Sequence, residues 1–189
     1  MTDTKPQLSE DLVIDTAAAI ADREGLDAVT LSRVARDLGA TQPALYRYVD
    51  GYDQLVRALG LRGREILATR LIEAGVGVAG DDAVMAMAQA WRKLVADHPG
   101  LYAASDRYPC AGDAELEAAV NRIVKILSDA LVAYELSESQ RIDVARTLRS
   151  SFHGFSHLEV GDGHPHDQDL DESFRQLVNL ICRGIHTMA

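Results

Sequence analysis

The sequence predicts an all-α protein, and two observations lead to that prediction. Apolar residues recur at helical spacing in segments that run from residue 13 to residue 185. Capping residues, serine or threonine in front and glycine behind, mark the ends of the early segments. The chain has 189 residues, 47% of them hydrophobic, which is enough for a buried core, and no apolar run approaches the roughly 20 residues of a membrane span.

The first two helices are marked at both ends. The first is predicted in SEDLVIDTAAAIADREG, with Ser9 as its N-cap and Gly25 as its end. The second is predicted in TLSRVARDLG, from the N-cap Thr30 to the terminating Gly39. Their apolar faces are Val13, Ala17, Ile20 and Ala21 in the first helix, and Leu31, Val34, Ala35 and Leu38 in the second.

A short third helix is predicted after Gly39. Thr41 can cap it, and Pro43 suits its first turn because the N–H that proline lacks has no partner there. Spacing directs Leu45, Tyr48 and Val49 inward and leaves an outer face of Gln42, Pro43, Ala44, Tyr46 and Arg47. Two helices joined in this way predict a helix-turn-helix, whose second helix fits the major groove of DNA. The same pattern also occurs in all-α proteins that do not bind DNA.

Charge is distributed unevenly along the chain. The net charge of −10 argues against binding of nucleic acid through overall charge alone, and so against an architectural DNA protein that ignores sequence. Residues 28–48 nevertheless carry +2, and the rest of the chain carries −12. The predicted helix-turn-helix therefore lies in a locally positive segment.

Residues 9–59 resemble the DNA-binding domain of TetR/AcrR-type transcriptional regulators. The matching positions include Ala17-Ala18, Gly25-Leu26, Thr30-Leu31, Val34-Ala35, Leu38-Gly39, Leu45-Tyr46-Arg47-Tyr48 and Leu55. The resemblance implies a homodimeric, one-component regulator, most often a repressor, that binds a palindromic double-stranded DNA operator. The predicted domains are residues 1–55, which carry the helix-turn-helix, and residues 56–189, which bind a ligand and dimerise.

The resemblance also implies roles for individual residues. Thr30 is expected to hold a phosphate, Tyr46 to hydrogen-bond the DNA backbone, and Gln42 to read a base edge, for which its amide is suited. Many family members carry a lysine where this chain has Tyr52, and a phenol brings no charge to a phosphate. Arg47 can reach a phosphate or stay solvated. The expected DNA contacts are Thr30, Thr41, Gln42, Pro43, Ala44, Tyr46, Arg47 and Tyr52.

The remainder of the chain predicts further helices. A long fourth helix starts near Gly51 and ends near Gly75, before the glycine-rich GVGVAGDD. Two later apolar stripes are Val84, Met87, Ala88, Trp91, Leu94 and Val95, then Leu116, Val120, Ile123, Leu127 and Leu131. The last two helices have wide stripes that can serve both a core and a partner helix. In proteins of the resembled family such a pair forms a four-helix dimer interface, which here implies Phe152, Phe174, Leu177, Val178 and Ile181.

A ligand pocket and a metal site are the remaining candidates. Aromatic residues suit a pocket for a small, mostly apolar molecule, although the same rings can simply fill the core: Trp91, Tyr102, Tyr108, Phe152 and Phe155. His153, His157 and Glu159 allow an alternative, a small metal-dependent helical enzyme, because two histidines one turn apart can share a metal. No third ligand is fixed by spacing, and solvated histidines are the simpler interpretation.

Other motifs are not found in the sequence. It contains no phosphate-binding glycine loop, no GxSxG motif and no metal-binding cysteine spacing, so neither catalysis nor a cofactor is expected. The N-terminal residues do not have the pattern of a signal peptide, and Cys110 and Cys182 suit packing in a reducing compartment. A cytoplasmic protein with no membrane partner is therefore expected.

Overall fold

The computed structural model describes residues 7–107 and 110–188, and all regular structure in these ranges is helical. The α-helices are α1 Glu10–Glu24, α2 Leu31–Asp37, α3 Gln42–Leu45, α4 Tyr52–Gly75, α5 Gly80–Asp97, α6 Pro99–Arg107, α7 Ala114–Ala130, α8 Glu138–Val160 and α9 Leu170–His186. Single turns of 3₁₀ helix occupy Leu26–Ala28 and Leu131–Ala133. The predicted all-α fold is confirmed. No helix within the described ranges has the length and apolar character that crossing a membrane requires.

The chain packs as two compact units. The first unit is Met1–Gly63 together with His98–Pro109, and the second unit is Arg64–Asp97 together with Cys110–Ala189. These units are defined by packing, and they place residues 56–63 and all of α6 with the N-terminal helices. The sequence-based domains of residues 1–55 and 56–189 keep α6 in the C-terminal part.

Local signals set the ends of α1 in the first unit. The Ser9 hydroxyl accepts a hydrogen bond from the Leu12 N–H at 3.2 Å, and Gly25 ends the helix with a φ of 87°, which favours glycine. The predicted apolar face is buried: Val13 and Ala17 are fully shielded, and Ile20 and Ala21 are 1% exposed. The predicted first helix is confirmed at both ends.

Helices α2 and α3 are joined by a tight turn. The Thr30 hydroxyl accepts a hydrogen bond from the Arg33 N–H at 3.1 Å and so caps α2. Gly39 follows with a φ of 59°, and the Ala40 N–H donates to the Ala35 carbonyl at 2.8 Å, which closes the end of α2. Leu45, the last residue of α3, is fully buried. Of the predicted inward residues, Leu45 and Val49 are buried and Tyr48 is half-buried.

Helix α6 is fastened against α1 within the first unit. Asp22 of α1 accepts a hydrogen bond from the Leu101 N–H at 2.9 Å, and its other oxygen lies 2.8 Å from His98 Nδ1. The backbones approach so closely that a methyl group on Gly100 would lie 2.0 Å from the Ala21 carbonyl oxygen. Glycine is therefore required at residue 100 by packing and not by backbone conformation.

The second unit has an aromatic core, beside which an arginine of α5 pairs with the carboxylates of Glu159 and Asp171. Trp91 of α5 contacts Phe152 of α8 edge to face at 6.1 Å between ring centroids, and Phe152 contacts Phe174 of α9 at 6.3 Å. The Arg92 guanidinium donates to both carboxylate oxygens of Glu159, at 2.5 and 2.7 Å. The Arg92 side chain is only 12% exposed, so the pair is partly shielded from water. This bidentate pair links α5 to α8.

Candidate nucleic-acid interface

The outer surface of α3 and the turn after it presents the expected groups to solvent. Pro43, Tyr46 and Arg47 are exposed, whereas Gln42 and Ala44 are half-buried. Tyr46 has 53% of its surface accessible, so both its ring and its hydroxyl can be reached from solvent. The surface therefore combines a hydroxyl, a guanidinium, an amide and small apolar groups, which suits contact with the edges and backbone of a duplex.

The Gln42 amide is oriented by its neighbours. Its Oε1 accepts a hydrogen bond from the Ser32 hydroxyl at 2.6 Å, and its Nε2 donates to the Tyr46 hydroxyl in a long bond of 3.4 Å. One amide hydrogen and one lone pair on Oε1 stay available, which is the donor and acceptor pair that reads an adenine edge. Ser32 was missed by sequence reasoning because its contact with residue 42 depends on the turn between α2 and α3.

The two threonines at the helix starts differ in their contacts. The Thr30 oxygen accepts the capping hydrogen bond from Arg33, and its O–H remains able to donate to a phosphate. Thr41 begins α3 through its backbone, its side chain makes no capping bond, and the residue is exposed. Tyr52 is half-buried at the first position of α4.

The positive charge near α3 is smaller than the sequence count suggests. Arg33 donates two hydrogen bonds of 2.6 Å to Glu24 and one of 3.1 Å to Asp37. The hydrogen bonds from Arg33, and secondly from Arg23, lower the pKa of the Glu24 carboxyl to about 2. The charge of Arg33 is thereby compensated within the protein, whereas Arg47 makes no ion pair with any described residue.

The aromatic residues expected to hold a ligand differ in burial and are divided between the two units. Trp91 is 2% exposed and Phe152 is fully buried, so both rings lie in the interior of the second unit. Phe155 is half-buried and packs against His164 at 4.7 Å. Tyr102 belongs to α6 in the first unit, and Tyr108 lies outside the described residues. Helical spacing identified buried faces correctly, but it carries no information on the space left between them.

The residues expected at a dimer interface fall into a buried group and a partly exposed group. Phe174 and Val178 are fully buried within the chain, as Phe152 is, so these side chains have no free surface for a partner. Leu177 and Ile181 are partly exposed. Sequence reasoning missed Leu180, which is 60% exposed on α9 between them.

The histidine cluster does not form the alternative metal centre. Glu159 is engaged by Arg92, and His153 and His157 stack with their ring centroids 5.6 Å apart. His164, in the segment after α8, packs its ring on Phe155. Within the part of the chain that the structure describes, no three His, Cys, Asp or Glu side chains are placed to hold one metal ion.

Comparisons with known proteins agree with this geometry. One family model, "Bacterial regulatory proteins, tetR family", matches residues 13–59, and a second, "Tetracyclin repressor-like, C-terminal domain", matches residues 84–181. The HTH-type transcriptional regulator Rv0681 of Mycobacterium tuberculosis is 36% identical over 180 residues, which are 95% of this chain and 82% of that protein. The HTH-type transcriptional repressor DrrR1 of Streptomyces coeruleorubidus is 34% identical over 114 residues, or 60% of this chain and 41% of that protein.

A solved structure shares the fold over nearly the full length. The Streptomyces coelicolor protein ActR, in complex with (S)-DNPA, superposes with a TM-score of 0.69 at 18% identity, covering 97% of this chain and 100% of that one.

Proposed function

We propose that this chain, which belongs to the TetR family of transcriptional regulators, represses transcription as a homodimer on a palindromic operator and is released by a small, mostly apolar molecule. DrrR1 is named a repressor and ActR is seen with a bound small molecule, and both facts favour this form of regulation here. A regulator of this kind meets the bacterial chromosome in the cytoplasm.

The observation that carries the proposal is the oriented amide of Gln42. In the free protein the Ser32 hydroxyl already holds Oε1, so less side-chain entropy is lost when the amide meets a base. Pro43 and Ala44 lie beside it and suit contact with a thymine methyl. The sequence of the operator would thus be read by residues 42–44.

The surrounding groups would position the protein on the DNA backbone. We assign phosphate contacts to the hydroxyls of Thr30, Thr41, Tyr46 and Tyr52 and to the guanidinium of Arg47. Hydroxyl contacts release few counterions, so this interface should show a shallower salt dependence than one built on lysine and arginine. The compensated charge of Arg33 points in the same direction.

The dimer would use the outer faces of α8 and α9. Leu180 is exposed on α9, together with the partly exposed Leu177 and Ile181. An added methyl on Gly154 of α8 or Gly184 of α9 would meet nothing within 4 Å in the single chain, so a partner helix has room to approach closely. A two-fold pair of these helices gives a four-helix interface and matches a palindromic operator.

Selection of bound duplexes from a random pool tests the function. We expect a palindrome whose half-sites are roughly 34–36 Å apart, one turn of DNA. Gln42→Ala should relax the preference at one base pair in each half-site, whereas Arg47→Ala, which removes only an expected phosphate contact, should weaken binding to all duplexes evenly. Recovery of unrelated duplexes without a shared motif would refute specific operator binding.

Sedimentation tests the dimer. Leu180→Glu should give folded monomers, because the residue is exposed in the protomer and a charge there would be desolvated only in the dimer. Val132→Glu is a matched control, since Val132 is similarly exposed, at 63%, outside α8 and α9. A Leu180→Glu protein that remains dimeric would place the interface elsewhere.

A further inference from the structure

The second unit contains an open cleft away from its aromatic core. The cleft has a volume of about 530 Å³. Its walls come from the C-terminal end of α4 and the segment after it, the first turns of α5, and the C-terminal end of α7 with the 3₁₀ turn that follows. The residues that define its character are Ile72, Val76, Met87, Ile126, Asp129 and Val132.

The lining is aliphatic. It includes isoleucine, valine, alanine and methionine side chains, with no aromatic ring among the described residues that form it. Val76 is 74% exposed, Val132 is 63% exposed and Ile72 is 43% exposed. Exposed apolar groups that line a concave surface are typical of a binding site, because water there is replaced with a gain in free energy.

The mouth of the cleft is electronegative. Asp129 is the single ionisable residue of the lining, and the C-terminal ends of α4 and α7 add their partial negative charges. Helix α5 contributes a positive N-terminal end, but its first turn carries Asp81 and Asp82. Lys125 lies 2.7 Å from Asp129 and partly compensates it from the exposed side of α7.

We propose that this cleft binds a small molecule with an aliphatic chain and a cationic head group, the head lying against Asp129. The regulatory consequence of this binding rests on the proposed function. A volume of this size is in the range of small-molecule sites, roughly 300–1,000 Å³, whereas a stable protein partner needs about 1,000 Å² of buried surface or more. The lack of aromatic side chains in the lining favours an aliphatic chain over a stacked ring.

Three ten-carbon probes distinguish the contributions of chain and head group. Decyltrimethylammonium, decanol and decanoate share one chain and differ in charge, and each can be titrated calorimetrically into the full-length protein below its micellar range. We expect one site per chain, with affinity falling from the ammonium to the alcohol to the carboxylate. Equal affinities for all three, or strongest binding of decanoate, would overturn the assignment of a cationic head.

Charge variants give a signed test at the same site. Asp129→Asn should weaken the binding of decyltrimethylammonium by about two- to fivefold, as expected for loss of an exposed ion pair, and leave the affinity for decanol unchanged. Lys125→Met should strengthen the binding of decyltrimethylammonium, because it removes the cation that competes for Asp129. Glu115→Gln, an exposed change at the other end of α7, is the control. Tighter binding of decanoate in Asp129→Asn than of the ammonium in the parent would overturn the proposal.

Filling the cleft tests its location. Ala133 is exposed and lines the cleft, so Ala133→Trp should fold normally and abolish binding of decyltrimethylammonium. Ala118→Trp, at an exposed position of α7 outside the lining, should bind as the parent does. Undiminished binding by Ala133→Trp would place the probe elsewhere and refute the site. Binding is measured without DNA, so a failure here leaves the operator and dimer experiments untouched. Binding that does not release the operator would uphold the site and contradict release by this ligand.

Discussion

Gly100→Ala is expected to destabilise the first unit by forcing α6 away from α1. The added methyl would lie 2.0 Å from the Ala21 carbonyl oxygen and 2.1 Å from its carbon. Carbon atoms of side chains are essentially never found closer than 3.0 Å to such atoms, so the backbones must separate by about 1 Å. Both sides of the contact are backbone, and neither can rotate away.

The magnitude follows from three contributions. Overpacking against a rigid backbone costs about 3 kcal/mol. Displacement of α6 also stretches the hydrogen bond from the Leu101 N–H to Asp22, now 2.9 Å, which is worth about 1.5–3 kcal/mol if it is lost, since the acceptor is charged. Alanine is better than glycine in a helix by up to about 1 kcal/mol, which offsets part of the cost. We expect a net loss in the free energy of unfolding of about 2 kcal/mol if this hydrogen bond is kept, and of about 3.5–5 kcal/mol if it is lost.

Urea unfolding followed by circular dichroism measures this loss, at one fixed protein concentration because dimerisation adds to stability. Asp22→Asn is the matched control, since it weakens the cap of α6 without adding volume, and it should cost about 1 kcal/mol. An unfolding midpoint in Gly100→Ala that equals that of the parent would refute the close approach of α6 and α1. A loss no larger than that of Asp22→Asn would show that the cap, and not the steric contact, dominates.

Further predictions concern the DNA interface, the ion pair and the response to acid. In a binding titration, Gln42→Ala should cost roughly 1–3 kcal/mol in operator affinity, and Ser32→Ala, which only frees the amide, about 0.5–1 kcal/mol; an unchanged affinity in Ser32→Ala would contradict the orienting role of Ser32. Glu159→Gln removes the bidentate partner of the mostly buried Arg92 guanidinium, which keeps only its ion pair with the exposed Asp171. It should lower the free energy of unfolding in urea by about 2–3 kcal/mol, and an unchanged midpoint would contradict a stabilising role of the bidentate pair. Arg33 lowers the pKa of Glu24, so the stabilisation from this ion pair is present above about pH 4.5 and is lost as the pH falls toward 2. Glu24→Gln should therefore flatten the dependence of the free energy of unfolding on pH in this range. An unchanged slope would contradict the ion pair.

Local signals in the sequence were sufficient for the helix-turn-helix. The N-caps Ser9 and Thr30 and the terminator Gly25 act within one helical turn, so the residues themselves determine where α1 and α2 begin and where α1 ends. Helical spacing alone predicted that Tyr46 and Arg47 are exposed, although α3 ends at Leu45 and both residues lie in the turn after it. The Ser32–Gln42 hydrogen bond was not, because it spans ten residues and depends on the conformation of the turn.

Long-range packing explains what the sequence did not reveal. The segment around Gly100 was grouped with the C-terminal helices, since nothing near it in sequence signals a contact with Ala21, some eighty residues earlier. The stripes that contain Trp91 on α5 and Phe152 on α8 marked buried faces, but helical spacing does not distinguish a filled core from a pocket. The cleft beside Asp129 is formed by three separate segments, and no one of them carries a recognisable motif.

The discontinuity of the first unit has a consequence for how such a protein can be divided or recombined. Its residues come from two stretches of chain, with residues 64–97 inserted between them. A fragment that ends at residue 63 would leave Asp22 and the Ala21 carbonyl of α1 facing water where Leu101 and Gly100 now pack. Exchange of the DNA-reading helices between relatives by a single genetic crossover would therefore join an α1 to an α6 with which it did not evolve. A chimera that preserves the fit must inherit both stretches, or at least keep aspartate at residue 22 and glycine at residue 100.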